Sequence, residues 1–98
     1  MNIDVLITGA RRMQRIHKRF LKQDHATDVI AFRSDPVSDI VVSSDFAKRY
    51  SRQHGIPYKE ELARYLVHGT LHLLGYDDRK KKDFERMHSR QERILSTL

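Results

Sequence analysis

HGTLHLLGYDD, residues 68–78, holds two histidines four residues apart, a glycine three residues after the second, and two aspartates just beyond it. On a helix, residues i and i+4 project from one face with Cβ atoms about 5–6 Å apart. His68 and His72 can therefore aim a nitrogen at the same ion. That face offers no third ligand unless the chain changes direction. Gly75 supplies the break, because glycine adopts left-handed backbone angles at low cost. The turn that follows can bring Asp77 or Asp78 back to the ion. Three protein ligands with a fourth position open are the pattern of a catalytic zinc site rather than a structural one.

The spacing HxxxHxxGxxD is similar to the extended zinc motif of the metzincin peptidases. There the residue after the first histidine is a glutamate that serves as general base. Here it is Gly69, which cannot move a proton, and this argues against a peptidase of that mechanism. Working outward, Leu62, Leu66 and Leu73 share the helix with the histidines, Pro57 suits its first turn, and Glu60 and Glu61 lie near its positive end. A preceding helix is expected over about 45–54, capped by Ser44 and closed by Gly55. A final helix is expected over about 80–95, with Phe84, Met87, Ile94 and Leu95 turned inward.

The first third of the chain alternates differently. Ile3, Val5 and Ile7 read as one side of a strand, TDVIAF (27–32) as a short buried strand, and DIVVS (39–43) as another. Ser34, Asp35 and Pro36 read as the turn between them. A helix over about 9–22 carries Met13, Ile16 and Phe20 on its apolar stripe. Strands first and helices later give an α+β class: a small mixed sheet packed by helices, with the metal site on a helix of the C-terminal half and the turn after it.

The 98 residues fit one small domain, 1–98. The absence of cysteine excludes a disulfide scaffold and thiolate zinc sites, leaving His, Asp and Glu as ligands. The apolar run in MNIDVLITGARR is too short for a secretory signal or a membrane span, so a soluble, cytoplasmic protein is expected. The net charge of +6 favours a polyanionic partner. Its distribution is uneven. Arg11, Arg12, Arg15, Lys18, Arg19 and Lys22 fall in RRMQRIHKRFLK with no acid among them, and Arg79, Lys80, Lys81 and Lys82 follow the histidine motif directly. These two runs are the candidate nucleic-acid-binding residues, RNA-binding on the resemblance given next. His17, His25, His54 and His88 lack comparable company and read as surface or packing residues.

HGTLHLLGYDD resembles the HGxLHLxGYDH signature of the YbeY family of zinc-dependent endoribonucleases. ATDVIAF (26–32) and SDIVVS (38–43) resemble two strand motifs of that family, ELARYLVHG (61–69) its helix leading into the signature, and Met87, Glu92, Ile94 and Leu95 its terminal helix. The resemblance covers about residues 16–95. It implies an α+β fold with a zinc site in a basic cleft, and one zinc ion per chain held at the positions of His68, His72 and Asp78, with manganese, iron or nickel as other occupants. It implies single-strand-specific cleavage of RNA by metal-activated water, in 16S rRNA 3′-end maturation and ribosome quality control. The implied partners are ribosomal RNA, the ribosome and small-subunit proteins. Asp77 is a candidate to orient a ligand or accept a proton, and Tyr76 to pack or to stack on a base.

Three departures stand out. Asp78 occupies the place of a histidine, Leu21 the place of an arginine near the metal, and His17 the place of an asparagine. Relative to the family the chain also reads as shortened at its N-terminus and in the loop before DIVVS. These departures raise a second reading, a catalytically weak ribosome-associated RNA-binding factor of the same fold. A third is a metal-dependent hydrolase of another substrate.

Overall fold

The computed structural model describes residues 2–21 and 27–98, and for Phe20 and Leu21 the backbone alone. The expectations for the side chains of Phe20 and Leu21, for Lys22 and for His25 lie outside the described residues. In chain order the elements are β1 (Asn2–Thr8), α1 (Ala10–Leu21), β2 (Val29–Phe32), β3 (Val37–Ser43), α2 (Ser44–His54), α3 (Tyr58–Leu73) and α4 (Lys81–Leu95). β3 is the central strand. β1 pairs with it in parallel, Val5 opposite Ile40 and Ile7 opposite Val42, and β2 pairs antiparallel, Ala31 opposite Ile40. The fold is α+β, a small mixed sheet packed by helices.

The unbroken apolar run of β3 follows from its place. Ile40 and Val42 face one way and join Ala47 of α2 with Tyr65 and Leu73 of α3. Val41 faces the other way and joins Ile30 and Met13 of α1. A strand covered on both faces has no reason to alternate. Helix α1 thus lies on one side of the sheet, and α2 and α3 on the other. Two contacts bind the β1–α1 junction to the start of α2: Ala10 N–H donates to Asp45 Oδ2 at 2.6 Å, and the Ser44 hydroxyl to the Thr8 carbonyl at 3.2 Å. The Asp45 carboxylate thereby meets an orphan amide at the positive end of α1.

Several expectations are corrected. Val5 and Ile7 are 50% exposed, because β1 is an edge strand; Leu6 packs toward Met13 instead. Ser43, not Ser44, caps α2, its side chain accepting from Phe46 N–H. Pro57 stands at the N-cap of α3 rather than in its first turn. Phe84 is exposed and stacks on His88; Met87 is the buried anchor of α4, with Gln91 one turn on. Gly55 does close α2, in the left-handed conformation at φ 65°.

Gly69 has a role that spacing alone does not reveal. It is buried where α3 crosses β3, and a Cβ built there meets Ile40 Cγ2 at 2.9 Å. That methyl belongs to a β-branched, fully packed side chain with little freedom to yield. The position after His68 therefore faces the sheet. Gly69→Ala should lower stability by about 1–2 kcal/mol, because overpacking of about 2–3 kcal/mol outweighs the helix-propensity gain of about 1 kcal/mol. In thermal denaturation this appears as a melting temperature lower by about 5–15 °C. An unchanged or higher melting temperature would show that the helix lifts off the strand freely.

Candidate metal centre

Helix α3 places His68 and His72 one turn apart on its flank, not on the face that packs against the sheet. Both are partly buried, and their rings meet edge to face with centroids 4.6 Å apart. The chain leaves the helix through two hydrogen bonds, Gly75 N–H to His72 O at 3.0 Å and Tyr76 N–H to Leu71 O at 3.0 Å. This Schellman closure requires the left-handed backbone that Gly75 supplies at φ 100°. It sends the turn back over the histidines and delivers Asp78.

Three atoms converge. His72 Nε2 lies 3.1 Å from His68 Nε2, and Asp78 Oδ2 lies 3.3 Å from His72 Nε2 and 3.7 Å from His68 Nε2. Among the described residues, no other set of three His, Asp or Glu side chains comes together in this way. Tetrahedral zinc with bonds of about 2.0–2.2 Å sets its donor atoms about 3.4 Å apart, and the three separations bracket that value.

The donor chemistry agrees. His72 Nδ1 lies 3.1 Å from the Tyr76 carbonyl, which can only accept, so Nδ1 carries the proton of the neutral ring and Nε2 the lone pair. His68 Nδ1 lies 2.7 Å from Gln91 Oε1 and donates to it. The Gln91 amide is oriented in turn by its Nε2 donating to Glu92 at 3.0 Å. Two imidazole lone pairs and a carboxylate oxygen thus face one another. Such a set is mutually repulsive alone and is satisfied by a cation. Orienting groups on the far nitrogens of ligating histidines are the usual support of a metal site.

Behind His68 the polar chain continues. Arg64 donates to Glu92 through Nε at 3.0 Å and Nη2 at 3.2 Å, and to Glu61 at 2.7 Å. Glu61 is 2% exposed. The Arg64 guanidinium is held well above its ordinary range, first by its hydrogen bond to Glu92; Glu92 is lowered, first by Arg64. Burial, with Asp28 and Glu61 near, pushes the Tyr65 phenol up, and Tyr65 lines a cleft of about 170 Å³ with Glu61, Arg64, His68 and Gln91.

The remaining candidates lie elsewhere. Asp77 is outside the converging group; Arg79 grips its carboxylate through Nε at 3.0 Å and Nη2 at 2.8 Å and, by hydrogen bonding, lowers its pKa to about 2. At ordinary pH it is an engaged anion. Lys80, Lys81 and Lys82 are exposed directly beyond Asp78. Arg11, Arg12, Arg15, Lys18 and Arg19 are exposed on α1, across the sheet from α3, so the structure does not bring that run to the histidine face. His54 stacks on Tyr50, and His17 is buried. A larger cleft, about 600 Å³, lies between α1 and the sheet and is lined by none of the three converging residues.

Gln91 and the Tyr76 carbonyl are the orienting groups that spacing did not single out. Gln91→Leu should weaken divalent-ion binding by about 10–100-fold, as loss of such support commonly does, with Gln91→Glu restoring it; competition against a chromophoric chelator reads both. A second expectation follows from the sign of the Glu92 shift. A carboxyl whose folded pKa lies below its unfolded value, about 4.3, stabilises the fold above that value, and the contribution is lost as pH falls through the lower folded pKa. Urea midpoints compared at pH 6 and pH 3 should fall less in Glu92→Gln than in the parent protein.

The family described as endoribonuclease YbeY matches residues 1–98. A Myxococcus xanthus endoribonuclease YbeY is 34% identical over 97% of this chain and 36% of its own length. One from Persephonella marina is 33% identical over 100% of this chain and 71% of its own, and one from Thermus thermophilus 36% identical over 96% and 74%. The solution structure of a Thermotoga maritima protein superposes with a TM-score of 0.69 at 25% identity, over 95% of this chain and 65% of that one. The chain thus spans from about a third to three quarters of the length of these relatives, and with its signature, strands and terminal helix in place it belongs to the YbeY family.

Proposed function

We propose that this protein is a metal-dependent endoribonuclease acting on single-stranded RNA. The observation that carries the reading is the convergence of His68 Nε2, His72 Nε2 and Asp78 Oδ2, with both rings fixed by acceptors at Nδ1. His68, His72 and Asp78 would hold the ion, and zinc suits two imidazoles and a carboxylate, with manganese or iron made more competitive by the harder oxygen ligand. When bound, such an ion supplies Lewis acidity to a phosphodiester and to the attacking water. The residues do the rest. Gln91 and the Tyr76 carbonyl hold the rings, and Gly75 holds the turn. Lys80, Lys81 and Lys82 attract the phosphate backbone beside Asp78 without reading sequence.

Gly69 faces Ile40 and leaves no room for a glutamate base beside His68, which sets the peptide-hydrolase reading aside. Asp77 is assigned to bracing the turn through Arg79 rather than to proton transfer. The relatives' names point to RNA, and ribosomal RNA, in 16S 3′-end maturation and ribosome quality control, is the proposed target. None of the described helices is long and apolar enough to cross a membrane, in keeping with a proposed cytoplasmic setting. The basic face of α1 would meet RNA or ribosome on the other side of the sheet. Asp78 in place of the signature's last histidine favours the second reading, a weakly catalytic RNA-binding factor.

Incubation of metal-loaded protein with a structured RNA, with and without EDTA, separates these readings. Chelator-sensitive cleavage is expected; binding without cleavage would support the factor, and neither would overturn both. Elemental analysis should give about one divalent ion per chain and far less in His72→Ala. Asp78→His should keep the ion and move the pH optimum of cleavage downward, since a neutral third ligand leaves the centre more positive by one charge. Coincident pH–rate profiles would remove Asp78 from the ligand set.

A further inference from the structure

The basic run on α1 lies across the sheet from the histidines, which raises the question of which cations share their side of the molecule. Helix α4 packs on α3 through Met87 and Gln91. Along one of its flanks run Lys82, Arg86, Arg90 and Arg93, at spacings of four, four and three residues. At 1.5 Å per residue this row is about 16 Å long. All four are exposed. Arg86, Arg90 and Arg93 line one cleft of about 190 Å³ together with Ser89 and Tyr76. Tyr76 belongs to the turn that closes the centre: its carbonyl accepts from His72, and Asp78 is two residues on.

The charge on this flank is not compensated locally. Among the described residues, none of Arg86, Arg90 and Arg93 is in an ion pair, whereas Glu92 is gripped by Arg64 and Asp77 by Arg79. Asp83 borders the next cleft with Arg86 but forms no ion pair with it. The acids of α4 at 85 and 92 fall on the opposite flank. The three guanidiniums thus outnumber the one acid of their flank, Asp83. A row of guanidiniums beside a partly exposed aromatic ring is the chemistry of a track for a single-stranded polynucleotide: guanidiniums for phosphates, the ring for a base.

We infer that the Arg86–Arg90–Arg93 flank of α4, with Tyr76 at its head, is a binding track for the single-stranded RNA that leaves the metal centre. The track rests on the RNA reading given above and adds the path the strand takes. Arginine supports a track better than lysine, because its planar fork engages phosphate oxygens in pairs. Arg86, Arg90 and Arg93 hold the backbone, and Tyr76 stacks the nucleotide nearest the centre.

The test is binding of a fluorescein-labelled single-stranded oligoribonucleotide by anisotropy, in EDTA so that no cleavage intervenes, across a salt series. Three proteins are compared: the parent, the variant Arg86→Gln/Arg90→Gln/Arg93→Gln, and a control carrying the same charge loss elsewhere, Lys48→Gln/Arg52→Gln/Lys59→Gln. The α4 variant should bind about tenfold or more weakly, with its log–log salt slope shallower by about two, as expected for loss of three phosphate contacts at about 0.7 each. The control should change far less, and melting temperatures should confirm that all three are folded. Tyr76→Leu should weaken binding about tenfold with the slope unchanged, the mark of lost stacking rather than lost charge. Equal losses in the α4 variant and the control would overturn the track, by showing that net charge alone is at work. Parent-like binding by the α4 variant would overturn it too, while leaving the RNA reading intact. Failure of the parent protein to bind would overturn both.

Discussion

The contact of Gly69 with Ile40 is the constraint on which the rest of the molecule depends. Ile40 lies in the central strand, and α3 approaches it more closely than any side chain at position 69 permits. The approach fixes the rotation of α3 about its axis. Leu62, Tyr65, Leu66 and Leu73 then face or flank the sheet. Residues 61, 64, 68 and 72 are turned to the side where α4 and the turn lie. Rotating the helix would carry the histidines away from Gln91 and Asp78 together. The glycine beside His68 is a packing device, and its consequence for the candidate centre is indirect: it aims the two histidines.

The seam between α3 and α4 carries a chain of polar contacts. Arg64 and His68, one turn apart on α3, meet the neighbouring Glu92 and Gln91 of α4. Burying Glu61 and Gln91 costs desolvation that hydrophobic residues would not incur. Among the described residues, no buried polar side-chain atom lacks a hydrogen-bond partner, so the cost is offset and the seam has one register. An apolar seam would tolerate sliding of α4 along α3. A ladder in which His68 Nδ1 must find Gln91 does not, and a metal site needs its ligands held to within fractions of an ångström. The stability given up in the seam is exchanged for position.

How much of this was legible in the sequence differs by the range of the interaction. The convergence of His68, His72 and Asp78 could be read because it is local: a helical repeat fixes the two histidines, and one glycine turn bounds where Asp78 can go. The central strand could be read because DIVVS has no polar face. Val5 and Ile7 misled because alternation says which residues share a face, not whether another element covers that face. Ser43 and Ser44 are both competent caps, and only the end of β3 decides between them. Phe84 looked like core because its spacing to Met87 is helical, yet it falls on the margin of the stripe. Gln91 could have been found: it sits one turn after Met87 on the buried side of α4, and a polar residue on an apolar stripe asks for a partner. That the partner is His68 is a tertiary fact, set by how α4 returns along α3. The opposition of α1 and α3 across the sheet is likewise topological and leaves no trace in local pattern.

His72 occupies two roles in the centre at once. Its Nε2 faces the ion position, while its Nδ1 and its own carbonyl hold the turn through Tyr76 O and Gly75 N–H. The residue that would offer the second ligand therefore also helps to place the third. His68 has no such double duty; its far nitrogen is held by another helix altogether. The two histidines are equivalent in spacing and unequal in consequence. Losing His68 would remove one ligand and leave the Asp78 turn anchored. Losing the His72 side chain would remove a ligand and also the Nδ1–H bond to Tyr76 O that braces the turn carrying another, although the backbone closure at Gly75 and Tyr76 would remain. Metal retention should therefore drop more steeply in His72→Ala than in His68→Ala, a difference that follows from hydrogen bonding and not from the identity of the ion.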